Sequence, residues 1–227
     1  MTYLCSVPLN PLRSGAQRLL TNPQRMHAAV EGVLPPERSG RLLWRVDRHG
    51  AHANLLIVAP DPPTLDHLVE QAGWPDAPGG TPRVADLAPL LAQVATGREF
   101  EFRVRLNPVQ RLPGTPESRG ERKGHRTMRH QLDWFLARTT GTASSWGFSV
   151  GATGEPTVTV LERQHLRFLR KGSDRPVVLD VATFQGILTV TDPGALRRSL
   201  TAGIGTGKAY GCGLLTLASR RGHVVAR

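Results

Sequence analysis

Lysine, tyrosine and cysteine are all scarce in this chain. Its 227 residues hold three lysines (Lys123, Lys171 and Lys208), two tyrosines and two cysteines. Cys5 and Cys212 lie far apart and make no disulfide framework, which fits a reduced, cytoplasmic protein. No stretch approaches the roughly 18 apolar residues of a membrane span, and no signal-peptide pattern opens the chain, so no membrane partner is expected. The eight histidines are scattered without ligand spacing, so neither a metal site nor a cofactor is expected. The stacking aromatics of an RRM signature are not evident either. Acid is scarce too. Asp and Glu total 18 against 29 Lys and Arg, leaving a formal net charge of +11.

What is present is arginine, 26 residues of it. A GC-rich coding bias, which also raises Ala, Gly and Pro, accounts for the choice of Arg over Lys. It does not account for the charge imbalance, and the planar guanidinium suits phosphate and base edges. Nucleic acid is therefore the leading partner on charge, ahead of a merely basic enzyme. The second feature is the string Gly203-Ile204-Gly205-Thr206-Gly207-Lys208-Ala209-Tyr210-Gly211-Cys212-Gly213, followed by an apolar run. Such glycines let backbone amides approach an anion, and successive amides can form a concave site for it. A turn required only for packing the last strand would use glycine equally well. A Walker A loop is excluded: its first glycine is replaced by Ala202, its Ser or Thr by Ala209, and no helix follows.

Two similar halves can be read along the chain. Tyr3 to Leu9 alternates as a strand, and Asn22-Pro23 caps a helix reaching about Leu34. Strands at Arg41–Val46 and Ala53–Val58 flank the turn Asp47-Arg48-His49-Gly50, and a helix covers Thr64 to Ala72. Gly73 to Pro82 breaks the pattern; Phe100, Phe102, Val104 and Leu106 then alternate with Glu101, Arg103 and Arg105. After a polar loop come a helix over Arg126–Arg138 and four short strands at 157–161, 166–169, 177–182 and 186–190. Asp192-Pro193 caps a further helix, and Gly213–Ala218 closes as a strand. The order β-α-β-β-α-β, read twice, predicts an α+β chain of two tandem ferredoxin-like domains, 1–95 and 96–227, the second with an added β-hairpin.

The string Gly-Ile-Gly-x-x-Lys-x-x-Gly-Cys-Gly-Leu-Leu-x-Leu-Ala resembles the signature of the CasE family, CRISPR-associated endoribonucleases of type I-E Cascade. Three more segments match in the same order: Phe102-Arg103-Val104-Arg105-Leu106-Asn107-Pro108, Phe184 to Val190 with Asp192, and Met26-His27 with Leu34-Pro35. The resemblance implies two ferredoxin-like domains that bind the stem-loop of a CRISPR repeat transcript. It also implies one metal-independent cut at the 3′ base of the stem, leaving a 2′,3′-cyclic phosphate, and retention as a subunit of Cascade. The isolated chain is expected to be a monomer. A non-catalytic RNA-binding subunit of the same type of complex is the alternative.

RNA supplies its own nucleophile in the 2′-hydroxyl, so the protein need only move protons and stabilise charge on the phosphorane. Histidine suits that task. By position alone His27 reads as a solvent-exposed side chain; with the resemblance it becomes the general acid or base. Lys208 is the electrostatic partner. Some family members carry a tyrosine one turn before the histidine, where this chain has Gln24, which cannot transfer a proton; Arg25 is a weak substitute for charge stabilisation. Candidate RNA contacts are Arg103 and Arg105, then Arg122, Lys123, Arg126 and Arg129 around one helix start, and Arg163, Arg167, Arg170 and Lys171 on the hairpin. The amides of Gly203, Gly205, Gly207 and Gly211 complete the set. Either basic run alone could be a solvated face; A-form RNA, read through shape and phosphate, suits clustered arginines.

Overall fold

The computed structural model describes residues 1–220, apart from 76, 112, 114–121, 141–143, 152–156 and 171. The first half runs β1 (Tyr3–Leu9), α1 (Ser14–Leu20), α2 (Pro23–Glu31), β2 (Leu43–His49), β3 (His52–Ala59), α3 (Asp66–Ala72) and β4 (Arg83–Asp86). Its sheet has the order β2-β3-β1-β4, antiparallel throughout, which is ferredoxin-like. A short helix α4 (Ala88–Ala92) leads to the second half, which begins with β5 (Glu99–Leu106) and a small hairpin of β6 (Val109–Arg111) and β7 (Arg122–Gly124). It continues through α5 (Met128–Thr139), β8 (Phe148–Ser149), β9 (Val158–Leu169), β10 (Pro176–Val190), α6 (Pro193–Ala202), a 3-10 turn at Lys208–Tyr210 and β11 (Leu215–Ser219). Its sheet has the order β11-β5-β10-β8, with β9 also paired to β10. No helix among the described residues is long and apolar enough to cross a membrane.

Local chemistry sets these elements. Alternation buries Cys5, Val7 and Leu9 on β1, and Phe100, Phe102, Val104 and Leu106 on β5. Phe135 of α5 stacks between Phe102 and Phe184, at 5.7 and 4.5 Å between centroids, and fixes helix to sheet. Asn22 Oδ1 accepts from the Gln24 and Arg25 amides at 3.0 and 3.2 Å, and Asp192 Oδ1 from the Ala195 amide at 2.9 Å. With proline at the first helical position in each case, α2 and α6 start where the sequence places them.

Three readings need correction. The first half closes on β4, a strand that sequence inspection passes over because all four of its residues are exposed and carry no alternation. The four short strands of the second half are two long ones. Gln164 prolongs β9 because it meets a polar partner, accepting from the Arg105 guanidinium at 2.6 Å; the gap read near Thr183 and Phe184 is a register shift within one strand. Arg163 and Arg167 lie on β9 and Arg170 just beyond it, so this run sits on a long antiparallel β9–β10 hairpin, as expected from the sequence, and β6–β7 is a further small hairpin. Asp47, read as a turn residue, lies inside β2 opposite Asn54, and the turn is Gly50-Ala51.

Asp47 belongs to the junction of the two sheets. Its carboxylate holds Arg45, which is 1% exposed, through Nε at 2.6 Å and Nη2 at 2.9 Å. The same guanidinium donates to the carbonyls of Arg103 and Leu214 and to Thr216 Oγ1, at 2.8, 2.9 and 2.9 Å. Burial pulls the Asp47 carboxyl upward, but the hydrogen bond and charge of Arg45, aided by Arg103, outweigh that and hold it below the usual range. Removing Arg45 strands these acceptors, so Arg45→Ala should cost about 3–5 kcal/mol in urea denaturation, whereas exposed Arg48→Ala should stay within about 0.5 kcal/mol. Asp47→Asn should be less stable than the parent at neutral pH. The gap should close as pH falls through the lowered Asp47 pKa, where the parent carboxyl is protonated too.

Candidate active site

Helix α2 presents Gln24, His27 and Glu31 on one face, three and four residues apart. Met26 and Val30 point the other way, into the core. The His27 side chain is 27% exposed, and its Nδ1 lies 3.7 Å from Glu31 Oε1, a carboxylate that Arg38 also engages. Arg25 sits about 200° round the helix from His27, exposed to solvent. It does not share the His27 face and so cannot replace a group there.

The glycine loop comes to this face. The ring of Tyr210 stands edge-on to the His27 imidazole at 6.1 Å between centroids, and its hydroxyl lies 3.5 Å from Gln24 Oε1. Lys208, at the start of the same 3-10 turn, donates to the Ala202 carbonyl at 2.9 Å, where a cation also meets the carboxyl end of α6. Burial, and then the charge of Arg41, lower the Lys208 pKa. Helix α2 thus packs on the 3-10 turn that carries Lys208, whose ammonium is held at the end of α6 with Arg41 as a second cation beside it. The thiols take no part: burial pushes both Cys5 and Cys212 up to about 11, leaving them protonated at neutral pH.

The loop glycines divide by what surrounds them. Gly211 has φ +78°, and a Cβ there would stand 2.7 Å from the Trp44 ring. Gly203 is similarly pressed on Leu43, at 2.7 Å. These two, expected among the RNA contacts, are packing positions that seat the loop on β2. Gly205 and Gly207 have no atom nearer than 3.4 Å to such a Cβ, and Gly207 lines an open groove.

That groove, about 1070 Å³, runs from Gly207 and Tyr210 to Lys123, His125, Arg126 and His130. Burial, reinforced by His130 and Arg138, lowers the His125 pKa, so its ring is neutral at neutral pH. Arg126 is 74% exposed and stands 3.6 Å from Asp180; an adjoining hollow holds Arg126 and Arg163. Arg163 bonds Gln131 Oε1 at 2.9 Å and the Arg126 carbonyl. Arg129, Arg167 and Arg170 are exposed, Arg167 on the same face of β9 as Arg163. Arg122 lies on β7 by its backbone, and Lys171 falls outside the described residues.

Two arginines read as surface contacts are otherwise engaged. Arg103 bonds Gln185 Oε1 at 3.0 and 2.6 Å and Asp47 at 3.3 Å; Arg105 is 9% exposed and bonds Gln164. Both side chains alternate out of the hydrophobic face onto polar partners from β2, β9 and β10, which leaves Arg105 buried and the Arg103 side chain 26% exposed. Tyr210, Arg41, Glu31 and Phe168 were not singled out from sequence. For Tyr210 a signal existed: one of only two tyrosines stands inside the glycine string.

Tandem ferredoxin-like sheets, with a histidine on α2 and a glycine loop before the last strand, set the class of this molecule. The chain belongs to the family described as CRISPR associated protein, whose profile matches residues 2–219. It is 31% identical over 227 residues to the CRISPR-associated endoribonuclease Cse3 of Thermus thermophilus, across 95% of this chain and 99% of that one. Among solved structures it resembles CRISPR endoribonuclease Cse3 bound to 19 nt RNA, with a TM-score of 0.74 and 28% identity over 96% of this chain and 98% of that chain. Thermus thermophilus Cse3 bound to an RNA representing a pre-cleavage complex gives 0.72 at 28% identity, with the same coverage of each chain.

The division among the glycines can be measured. Gly211→Ala should cost the left-handed backbone term of about 1–2 kcal/mol plus displacement of Trp44, whose indole donates to the Ala209 carbonyl at 3.3 Å. Gly50 also has positive φ, +54°, with nothing within 4 Å of a Cβ, so Gly50→Ala should cost the backbone term alone. Equal losses in chemical denaturation would remove the close approach to Trp44 as a stabilising constraint.

Proposed function

We infer that this chain is an endoribonuclease acting on CRISPR transcripts, binding a repeat stem-loop and cutting once at the 3′ base of the stem. The observation that carries the reading is the meeting of His27 with the glycine loop at the head of a basic groove. The Thermus relative, named an endoribonuclease and seen with RNA in a pre-cleavage complex, supports the same activity.

The chemistry follows from the groups present. The 2′-hydroxyl loses its proton and its oxygen bonds the adjoining phosphorus. The bond from phosphorus to the 5′ oxygen breaks, and that oxygen takes up a proton. The products are a 2′,3′-cyclic phosphate and a 5′-hydroxyl, and no metal is required. His27 carries one of the two proton transfers, as general acid or base. Lys208 and the amides about Gly205 and Gly207 oppose the charge that builds on the phosphorane. Lys123, Arg126, Arg163 and Arg167 engage phosphates of the stem, with Arg122, Arg129, Arg170 and Lys171 as further members of that surface. The product RNA stays bound, and the protein serves in the cytoplasm as a Cascade subunit. We take residues 1–95 and 96–227 as its two units, joined by α4 as a strap whose Leu90 and Leu91 pack on the second core.

Cleavage of a repeat stem-loop in EDTA tests the reading. The unaltered protein should yield one product with a cyclic-phosphate end. His27→Ala should abolish the cut while leaving affinity within about threefold, and Lys208→Ala should slow it about a hundredfold. Cutting by His27→Ala would remove the imidazole from the mechanism, and intact bound RNA with the unaltered protein would leave only a binding module.

Salt dependence separates the two kinds of arginine. Arg167→Ala should lower the slope of log affinity against log salt by about 1. Arg105→Ala should leave that slope unchanged and lower the melting temperature instead, because its partner Gln164 is internal.

A further inference from the structure

Tyr210 is where three elements meet. Its ring stands edge-on to His27 at 6.1 Å and 71°, and edge-on to Phe168 of β9 at 4.7 Å and 69°. Its amide is tied to the Gly207 carbonyl at 2.9 Å, and the neighbouring Ala209 carbonyl accepts from Trp44. The backbone beneath the ring is therefore fixed to β2. His27 has no comparable anchor of its own. Among the described residues no hydrogen bond holds its imidazole, and Glu31 at 3.7 Å is beyond hydrogen-bonding range.

We propose that Tyr210 is the positioning residue for His27, setting the imidazole's orientation through its ring, with Phe168 as the brace behind it. This rests on the reading of His27 as the proton-transfer group. Magnitudes favour the ring over the hydroxyl. The ring makes two edge-to-face contacts at ordinary aromatic separations, whereas the hydroxyl's contact with Gln24, 3.5 Å, is at the limit of a hydrogen bond. The arrangement also links the long β9–β10 extension to the chemistry. Leu166 and Phe168 of β9 face the N-terminal helices, while Arg163 and Arg167 face away from them. One strand thus offers charge on its outer face and holds the aromatic brace on its inner one.

Single-turnover cleavage of repeat stem-loop RNA by the full chain, with affinity measured alongside, decides the matter. Tyr210→Ala should slow cleavage about thirtyfold, since misplacing a reacting group can cost up to about a hundredfold, with affinity within about threefold. Tyr210→Phe should keep the rate within about threefold, and Phe168→Ala, which does not touch His27, should lose about three- to tenfold. Tyr210→Leu keeps apolar volume without a flat ring and should be slow even if the alanine variant folds poorly. A full rate for Tyr210→Ala, or a fall for Tyr210→Phe as deep as for Tyr210→Ala, would overturn the proposal; the second result would put the chemistry on the hydroxyl. His27→Ala run in parallel separates the layers. If it cuts, the reading beneath has failed; if it is inert while Tyr210→Ala is unimpaired, only the positioning role falls.

Discussion

One buried guanidinium fixes the relation between the two sheets. Arg45 leaves β2 and spends its donors on Asp47 in its own strand and on Arg103, Leu214 and Thr216 in the opposite half. Beside it Trp44 reaches the Ala209 carbonyl and forms the floor under Gly211. The site depends on this junction because it is composite: His27 comes from a helix of the first sheet, and Lys208 and Tyr210 from a loop of the second. Desolvating an arginine is costly, and two neutral residues of equal volume could hold the halves together as tightly. What they could not supply is direction. A guanidinium donating to named carbonyls admits one relative orientation of the sheets, whereas an apolar contact tolerates sliding.

The same residue type serves two purposes, which qualifies what net charge can reveal. Arg13 donates to the Val69, Glu70 and Gly73 carbonyls at the end of α3, and Arg197 to those of Leu91 and Val94 about the end of α4. Arg45, Arg103 and Arg105 are spent on internal acceptors. The charge of +11 therefore overstates the surface available to a polyanion. What remains outward, on the groove wall and the outer face of β9, is still rich in arginine; among the described residues Asp180 and Asp133 are the acids that pair with arginine there.

Most of the fold was legible because its signals are local. Asn22-Pro23 and Asp192-Pro193 mark helix starts by chemistry within three residues, and β1 and β5 show their buried faces by alternation. β4 escaped because an exposed edge strand has no apolar face to alternate. β9 looked like two strands because Glu162 and Gln164 are polar at inward positions, and only the presence of Arg105 opposite makes that sensible. The site was legible in part. His27 and Lys208 stood out through the resemblance, but Arg103 and Arg105 carry the same chemistry whether they meet RNA or Gln185 and Gln164. No spacing rule distinguishes an arginine facing solvent from one facing a partner 59 or 82 residues away.

The glycine string shows why a loop of this kind admits so little variation. It must dock, bend and present functional groups within eleven residues, and each demand falls on a different position. Gly203 and Gly211 let the backbone lie against Leu43 and Trp44; Gly207 turns the chain with φ +79° and leaves the groove open; Lys208 closes the end of α6. Tyr210 sits between the two docking points, one residue from Gly211 and with its ring against His27. Packing and chemistry are thus not alternative explanations of these glycines. The close approach to β2 gives the tyrosine, and through it the imidazole, a fixed place to stand.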